Sequence, residues 1–105
     1  MDFEQMKHAI ERQDRVVSLH AADEAAADNL DPDDVWASIV FNGEVIEDYP
    51  DAKRGPCCLV LSWLYRRPVH AVVAYPARRN IAFMITVYRP DEQPHEWSPG
   101  FRVRL

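Results

Sequence analysis

The sequence predicts an α+β domain in which N-terminal helices pack on a small, mainly antiparallel β-sheet. Three observations carry this. Residues 2–42 place apolar side chains mostly at helical spacing. Residues 57–89 contain three strand-length apolar runs joined by short links, which favours antiparallel hairpins and hence a meander. The length of 105 residues suits one core, so residues 1–105 read as a single domain.

The elements follow in order. Phe3, Met6, Ala9 and Ile10 recur at helical spacing and predict a helix from Asp2 to about Asp14, within an N-terminal segment 1–14. Arg15–Leu19 is a short β-rich run. The alanines from Ala21 to Ala27 then predict a second helix ending at Asn29-Leu30. Asp31-Pro32-Asp33-Asp34 opens a third: Asp31 can cap, Pro32 suits the first helical position, and the two carboxylates favour the positive end of the helix dipole. Val35, Trp36, Ile39 and Val40 form its stripe, and Asn42-Gly43 stops it.

Glu44–Tyr49 is a short extended stretch, and Pro50–Pro56 a loop. Strands are expected at 57–65, 68–75 and 81–89, with Arg66-Arg67 as the first tight connection. That turn would set Trp63 opposite His70. Residues 90–105 form a tail, with Pro90, Pro94, Trp97, Pro99 and Phe101, that lies over the sheet, and Phe101–Leu105 is a candidate edge strand. The strands are apolar on both faces: Leu59, Leu61 and Trp63 on one side of the first, Val60 and Leu64 on the other. One face should take the helices. The other needs the tail, a partner or a second copy, so a homo-oligomer, most simply a dimer, is expected.

The net charge of −5 hides an asymmetry. Residues 1–52 carry three bases against fourteen acids, a net −11, and residues 53–105 carry nine bases against three acids, a net +6. The basic half could meet an RNA backbone or an acidic partner; equally, the two halves could attract each other, because overall acidity opposes nucleic-acid affinity. At 48% hydrophobic residues the chain is too apolar to be disordered, yet no run approaches the ~18 residues of a membrane helix. No membrane partner is expected. Met1–Gln5 lacks the start of a signal peptide, so a cytoplasmic location is the default. Cys57 and Cys58 are adjacent and point to opposite strand faces, which fits two small reduced residues better than a disulfide or a zinc site.

Few residues can carry chemistry. His20 lies where a strand hands over to a helix, and Glu24 and Asp28 follow at i+4 and i+8 on the same helix face. A carboxylate at that spacing can orient an imidazole that takes and returns protons. The alternative is a solvent-facing stripe. The stripe lacks a third ligand for a metal, and no cofactor motif occurs, so neither metal nor cofactor is expected. His70 sits in a Val/Ala strand, either as a hydrogen-bonded core residue or as a histidine on the exposed sheet face beside Thr86 or Tyr88. Lys53-Arg54-Gly55 could approach a phosphate, and Arg89 ends the last strand. Arg78, Arg79, Arg102 and Arg104 read as solvated surface cations or, at best, phosphate contacts.

Three stretches together carry a family resemblance: Ser18–Glu24; Gly43–Pro50 running through Lys53–Val60; and Arg67–His70 with Ile85–Pro90. They resemble the bacterial and archaeal family designated domain of unknown function 4258, over roughly residues 10–105. The resemblance implies a RelE-like α+β fold, related to small toxin ribonucleases of the RelE/MqsR sort, and a zinc-ribbon antitoxin-like partner similar to MqsA. It sets His20, Arg54, His70 and Arg89 on motif positions. The chain departs from many relatives, which carry Arg where it has Glu24 and Asp28; repulsion of phosphate would then replace attraction.

Two functions follow from different premises. The first is the toxin component of a toxin–antitoxin pair, a metal-independent endoribonuclease using His20, Glu24, Arg54, His70 and Arg89. The second is a non-catalytic module that self-associates or binds an antitoxin-like partner through its sheet. An enzyme of another class on the same scaffold, including a metal-dependent one, is a third.

Overall fold

A computed structural model of the chain describes residues 2–53, 55–76 and 78–105. Three helices form in the N-terminal half, each started by a side-chain cap. Helix α1 (Phe3–Glu11) is capped by Asp2, whose carboxylate accepts from the Gln5 amide at 3.0 Å, and it buries Met6, Ala9 and Ile10. It ends before Asp14, where the sequence had placed its end. Gln13 turns into the left-handed region (φ 69°), and the Gln13 and Asp14 amides close back on the carbonyls of Ile10 and Ala9. Helix α2 (Leu19–Ala27) ends the same way at Asn29 (φ 55°), with the Leu30 amide on the Ala25 carbonyl and Leu30 buried. Helix α3 (Pro32–Asn42) begins as the sequence indicates, with Asp31 accepting from the Asp33 amide at 2.9 Å. Gly43 is required where it ends: a Cβ there would lie 2.4 Å from the Ile39 carbonyl oxygen.

The five strands are β1 (Arg15–Val17), β2 (Glu44–Tyr49), β3 (Cys57–Leu64), β4 (Arg67–Ala74) and β5 (Ala82–Tyr88), in the sheet order β1-β5-β4-β3-β2. The β2-β3-β4-β5 part is an antiparallel meander, and only β1 runs parallel to its neighbour. The class is α+β with a mixed sheet. The β3–β4 turn differs from the expected one. Tyr65 and Arg66, not Arg66 and Arg67, occupy it, both at positive φ (53° and 65°), as a two-residue hairpin turn that matches strand twist requires. The register therefore pairs Leu61 with His70 and Trp63 with Pro68.

One face of the sheet takes the helices. Cys58, Val60, Val69, Ala71, Val73, Ala82, Met84 and Val87 pack there with Met6, Ile10, Val35, Trp36 and Ile39. Ser62, which interrupts the β3 apolar run, shares a buried hydrogen bond of 2.9 Å with Ser38 of α3. The register between β4 and β5 slips between Val72 and Val73, so Ile85 has no partner across the pair. This bulge keeps Met84 and Val87 on the helix face and turns Phe83, Thr86 and Tyr88 to the other side.

The tail covers the part of that outer face around His70. It forms no edge strand, contrary to the expectation for Phe101–Leu105. Two 3-10 turns (Pro90–Glu92 and Pro94–Glu96) lead to a reversal at Phe101 (φ 60°), which folds Arg104 back to a single bridge with Trp97. Arg102 and Arg104, expected as surface cations, pair with Glu44 (2.9 Å) and Glu47 (3.0 Å) of β2. The basic and acidic halves of the chain thus meet across the sheet.

The outer edge of β5 is closed in an unusual way. Strand β1 pairs only with Ala82–Met84. Beyond that point α2 takes over. The Ser18 amide donates to the Met84 carbonyl, the Ser18 hydroxyl donates to the Ile85 carbonyl at 3.1 Å, and the same oxygen caps α2 by accepting from the Ala21 amide at 3.0 Å. Glu24 then accepts from the Val87 amide and Asp28 from the Arg89 amide, each at 3.2 Å. Backbone donors that a further strand would have satisfied meet side chains of a helix instead. Ser18→Ala removes the cap and the bulge contact together, so chemical denaturation should show a loss of about 1–3 kcal/mol; an unchanged midpoint would contradict this role.

Candidate functional site

The edge seal sets His20 at the start of α2, close to the β5 bulge. Its side chain is 70% exposed, and Nε2 lies 3.3 Å from Glu24 Oε1, the oxygen that also accepts from the Val87 amide. The carboxylate is thereby anchored to β5 and held against the imidazole, one helical turn away. His20 lines a cavity of about 540 Å³ with Ser18, Ala74, Pro76, Arg79, Phe83 and Ile85. The Arg79 guanidinium lies over the Phe83 ring, 4.9 Å from its centroid. An exposed imidazole with an orienting carboxylate, a cation and an aromatic ring therefore share one cavity. Such a set can move a proton, meet an anion and stack a planar group.

His70 lies elsewhere. It is fully buried on the outer face, beneath the tail. Its ring lies 4.3 Å from Trp97 and 5.3 Å from Tyr88, edge to face in both cases. Nε2 is 2.8 Å from the Phe101 carbonyl oxygen and Nδ1 is 3.1 Å from the Tyr88 hydroxyl. A carbonyl only accepts, so Nε2 carries the proton and Nδ1 accepts from Tyr88. Burial holds the imidazole below its ordinary value, hence neutral. Of the two expectations the structure shows the hydrogen-bonded core residue: His70 does lie on the outer face beside Tyr88, but the tail buries it, so it is not exposed there.

Arg89 is also buried, at 7% exposure. Its Nη1 makes long contacts to the carbonyls of Pro68 (3.4 Å) and Leu64 (3.5 Å), and among the described residues its Nε has no hydrogen-bond partner. Burial, and then the charge of Arg67, push the guanidinium below its ordinary range. Arg67 is itself held by Asp91 at 2.8 Å and Glu92 at 3.1 Å. Arg89 lines a second cavity, of about 430 Å³, together with Asp28, Tyr88, Glu96, Trp97 and Arg104.

Of the five candidate residues, His20 and Glu24 come together, Arg89 lines a different cavity, and His70 lies under the tail beside that second cavity. Arg54 falls outside the described residues; its neighbour Gly55 has the left-handed φ of 105° that its position in the loop suggests. Glu24 and Asp28 have a structural task in holding the Val87 and Arg89 amides. Two residues of this cavity were not among the five candidates: Arg79, read as surface or at best a phosphate contact, and Phe83. The signal for Phe83 was its alternation with Ala82 and Met84, which sets it on the face away from the helices. Cys57 and Cys58 are unbonded to each other and buried, and burial pushes the Cys58 thiol up to about 12. Among the described residues, no group of three or more His, Cys, Asp or Glu side chains is placed to hold a metal, and no helix is long and apolar enough to cross a membrane.

The buried neutral His70 makes stability depend on pH. The unfolded chain takes up a proton near the ordinary value of 6.5, and the folded chain only at a lower pH. The contribution is therefore complete above about 6.5 and is lost as pH falls towards the folded value. Denaturation midpoints measured from pH 7 down to 5 should fall more steeply for the wild type than for His70→Gln, by up to about 1.4 kcal/mol per pH unit. Parallel slopes would contradict the burial of a neutral imidazole.

No curated protein and no solved structure matches the chain. A family model does match, over residues 17–89, from the edge seal through the end of the meander. That span holds His20, Glu24, His70 and Arg89, and it covers more than half of the sequence. The chain belongs to the family described as domain of unknown function DUF4258.

Proposed function

We propose that the chain is the toxin component of a bacterial toxin–antitoxin pair and cleaves single-stranded RNA without a metal. The observation that carries this is the exposed His20, held by Glu24 behind it, in one cavity with Arg79 and Phe83. In this reading His20 takes the proton from a ribose 2′-hydroxyl. The 2′-oxygen attacks the adjacent phosphorus, the bond from phosphorus to the 5′-oxygen breaks, and His20 returns the proton to that leaving oxygen. A 2′,3′-cyclic phosphate and a 5′-hydroxyl end result. Glu24 holds the imidazole, Arg79 meets the charge developing on the phosphoryl oxygens, and Phe83 with Ile85 stacks a base. In the sequence reading, Lys53 and Arg54 add phosphate contacts. Such a toxin acts where mRNA is, in the cytoplasm.

A second reading has its own observation. The part of the outer face that the tail leaves open is apolar, with Val16 45% and Tyr49 40% exposed beside the half-buried Val72, Phe83 and Ile85. A second copy of the chain, or an antitoxin-like zinc-ribbon partner, would cover this surface and the His20 cavity with it, so binding and inhibition would be one event.

Induced expression in bacteria separates the readings. The ribonuclease reading expects wild-type chain to arrest growth and fragment mRNA, leaving 2′,3′-cyclic phosphate ends that persist in chelator-treated lysate. His20→Ala should restore growth while remaining folded, since a side chain 70% exposed contributes little to the core. Arg79→Ala should reduce cleavage by about 10²-fold or more if it stabilises the phosphoryl charge. Normal growth with a soluble, folded wild-type chain would leave the interaction module as the function.

A further inference from the structure

The second cavity has the chemistry of a base-reading pocket, and we infer that it binds guanine. The inference rests on the RNA-cleavage reading and adds a sequence preference to it. Arg89 is the first support. It is more than nine-tenths buried, no carboxylate pairs with its guanidinium, its Nε is unpartnered among the described residues, and its two Nη1 contacts are long. A buried cation in that condition is costly unless an acceptor reaches it.

The carboxylates supply the second support. Three line the cavity, and two of them are engaged: Asp28 on the Arg89 amide and Glu92 on Arg67. Arg104 is likewise tied to Glu47 and stacked 4.6 Å over Trp97. Glu96 is the lining carboxylate whose side chain makes no hydrogen bond or ion pair among the described residues. One guanidinium with donors to offer and one carboxylate with acceptors to offer stand beside Tyr88 and Trp97.

Guanine complements this pair better than the other bases. Its O6 and N7 accept from an arginine fork, while N1–H and the N2 amino group are adjacent donors that suit a carboxylate. Adenine places an acceptor at N1, which a carboxylate repels. The half-buried Tyr88 is the lining ring against which the base stacks, since Trp97 is buried beneath Arg104. The cavity is also placed to read a nucleotide a few steps along the strand from the cleaved one. Asp28 follows His20 by eight residues on the same helix, about 12 Å at 1.5 Å per residue, roughly three or four stacked nucleotide steps.

The test is a titration of the full-length protein with each of the four 5′-nucleoside monophosphates, followed by the indole and arginine side-chain signals in NMR. Guanosine monophosphate should shift Trp97 and Arg89 and bind about tenfold more tightly than the adenosine, cytidine and uridine compounds. Glu96→Gln, on an exposed position that leaves the fold intact, should erase most of that preference. Arg89→Lys should do the same where a melt shows it folded. Equal binding of all four nucleotides, shifts confined to the His20 cavity, or guanosine preference unchanged in Glu96→Gln would each overturn the inference. RNA cleavage with no guanine preference would overturn it while leaving the ribonuclease reading. Selective guanosine binding without RNA cleavage would do the reverse.

Discussion

The rest of the molecule depends on how the outer edge of β5 is closed. Strand β1 is three residues long and leaves most of the β5 edge away from β4 without a strand partner. Exposed edge amides are costly when buried and prone to pair with other chains when not. The solution here is a helix laid along the edge. Ser18 fixes its start, and Glu24 and Asp28, a turn and two turns beyond His20, receive the Val87 and Arg89 amides. The spacing that lets carboxylates reach alternate β5 amides also brings Glu24 against His20 and Asp28 against the Arg89 cavity. The seal and both cavities share one geometric cause.

The charge asymmetry is spent mostly inside the molecule. Arg102 and Arg104 bind the acids of β2 and fasten the tail, and Arg15 reaches Asp33 at the start of α3. The hydrogen bond from Arg104 holds Glu47 below its usual range, which is the electrostatic mark of that contact. Arg79 is spent differently. It stacks on Phe83 and makes no ion pair among the described residues, so its charge remains directed at the His20 cavity. An acidic protein can still meet RNA if the few uncompensated cations stand where the chemistry is.

Much of this was legible in the sequence because it rests on local rules. Asp31-Pro32 states a helix start, Asn29-Leu30 a left-handed helix end, and the alternating β3 residues a strand with two apolar faces. Cys57 and Cys58 take opposite faces for the same reason. What escaped depends on tertiary context. Tyr65-Arg66 adopts two left-handed conformations without glycine or asparagine, so residue type gave no sign of the turn and the His70 register moved. The tail has no periodicity, and its path is set by ion pairs to β2 and by Trp97 packing on His70. At the site, the i+4 spacing of His20 and Glu24 was visible, but the approach of Arg79 and Phe83 to His20 was not, because they meet only when α2 is laid along the edge of β5. The task of Glu24 and Asp28 was hidden likewise: charge argued against RNA, while geometry gave the carboxylates to the backbone.

The seal itself can be measured directly by amide hydrogen exchange at Val87 and Arg89, in wild type and in Glu24→Ala and Asp28→Ala. If the helix closes the edge, both amides are protected in wild type, the Val87 amide loses protection in Glu24→Ala, and the Arg89 amide loses it in Asp28→Ala, while the Ala82 and Met84 amides change little. If Val87 and Arg89 exchange freely in wild type, or keep their protection in both variants, the edge of β5 is held by something else and the placement of His20 needs a different cause.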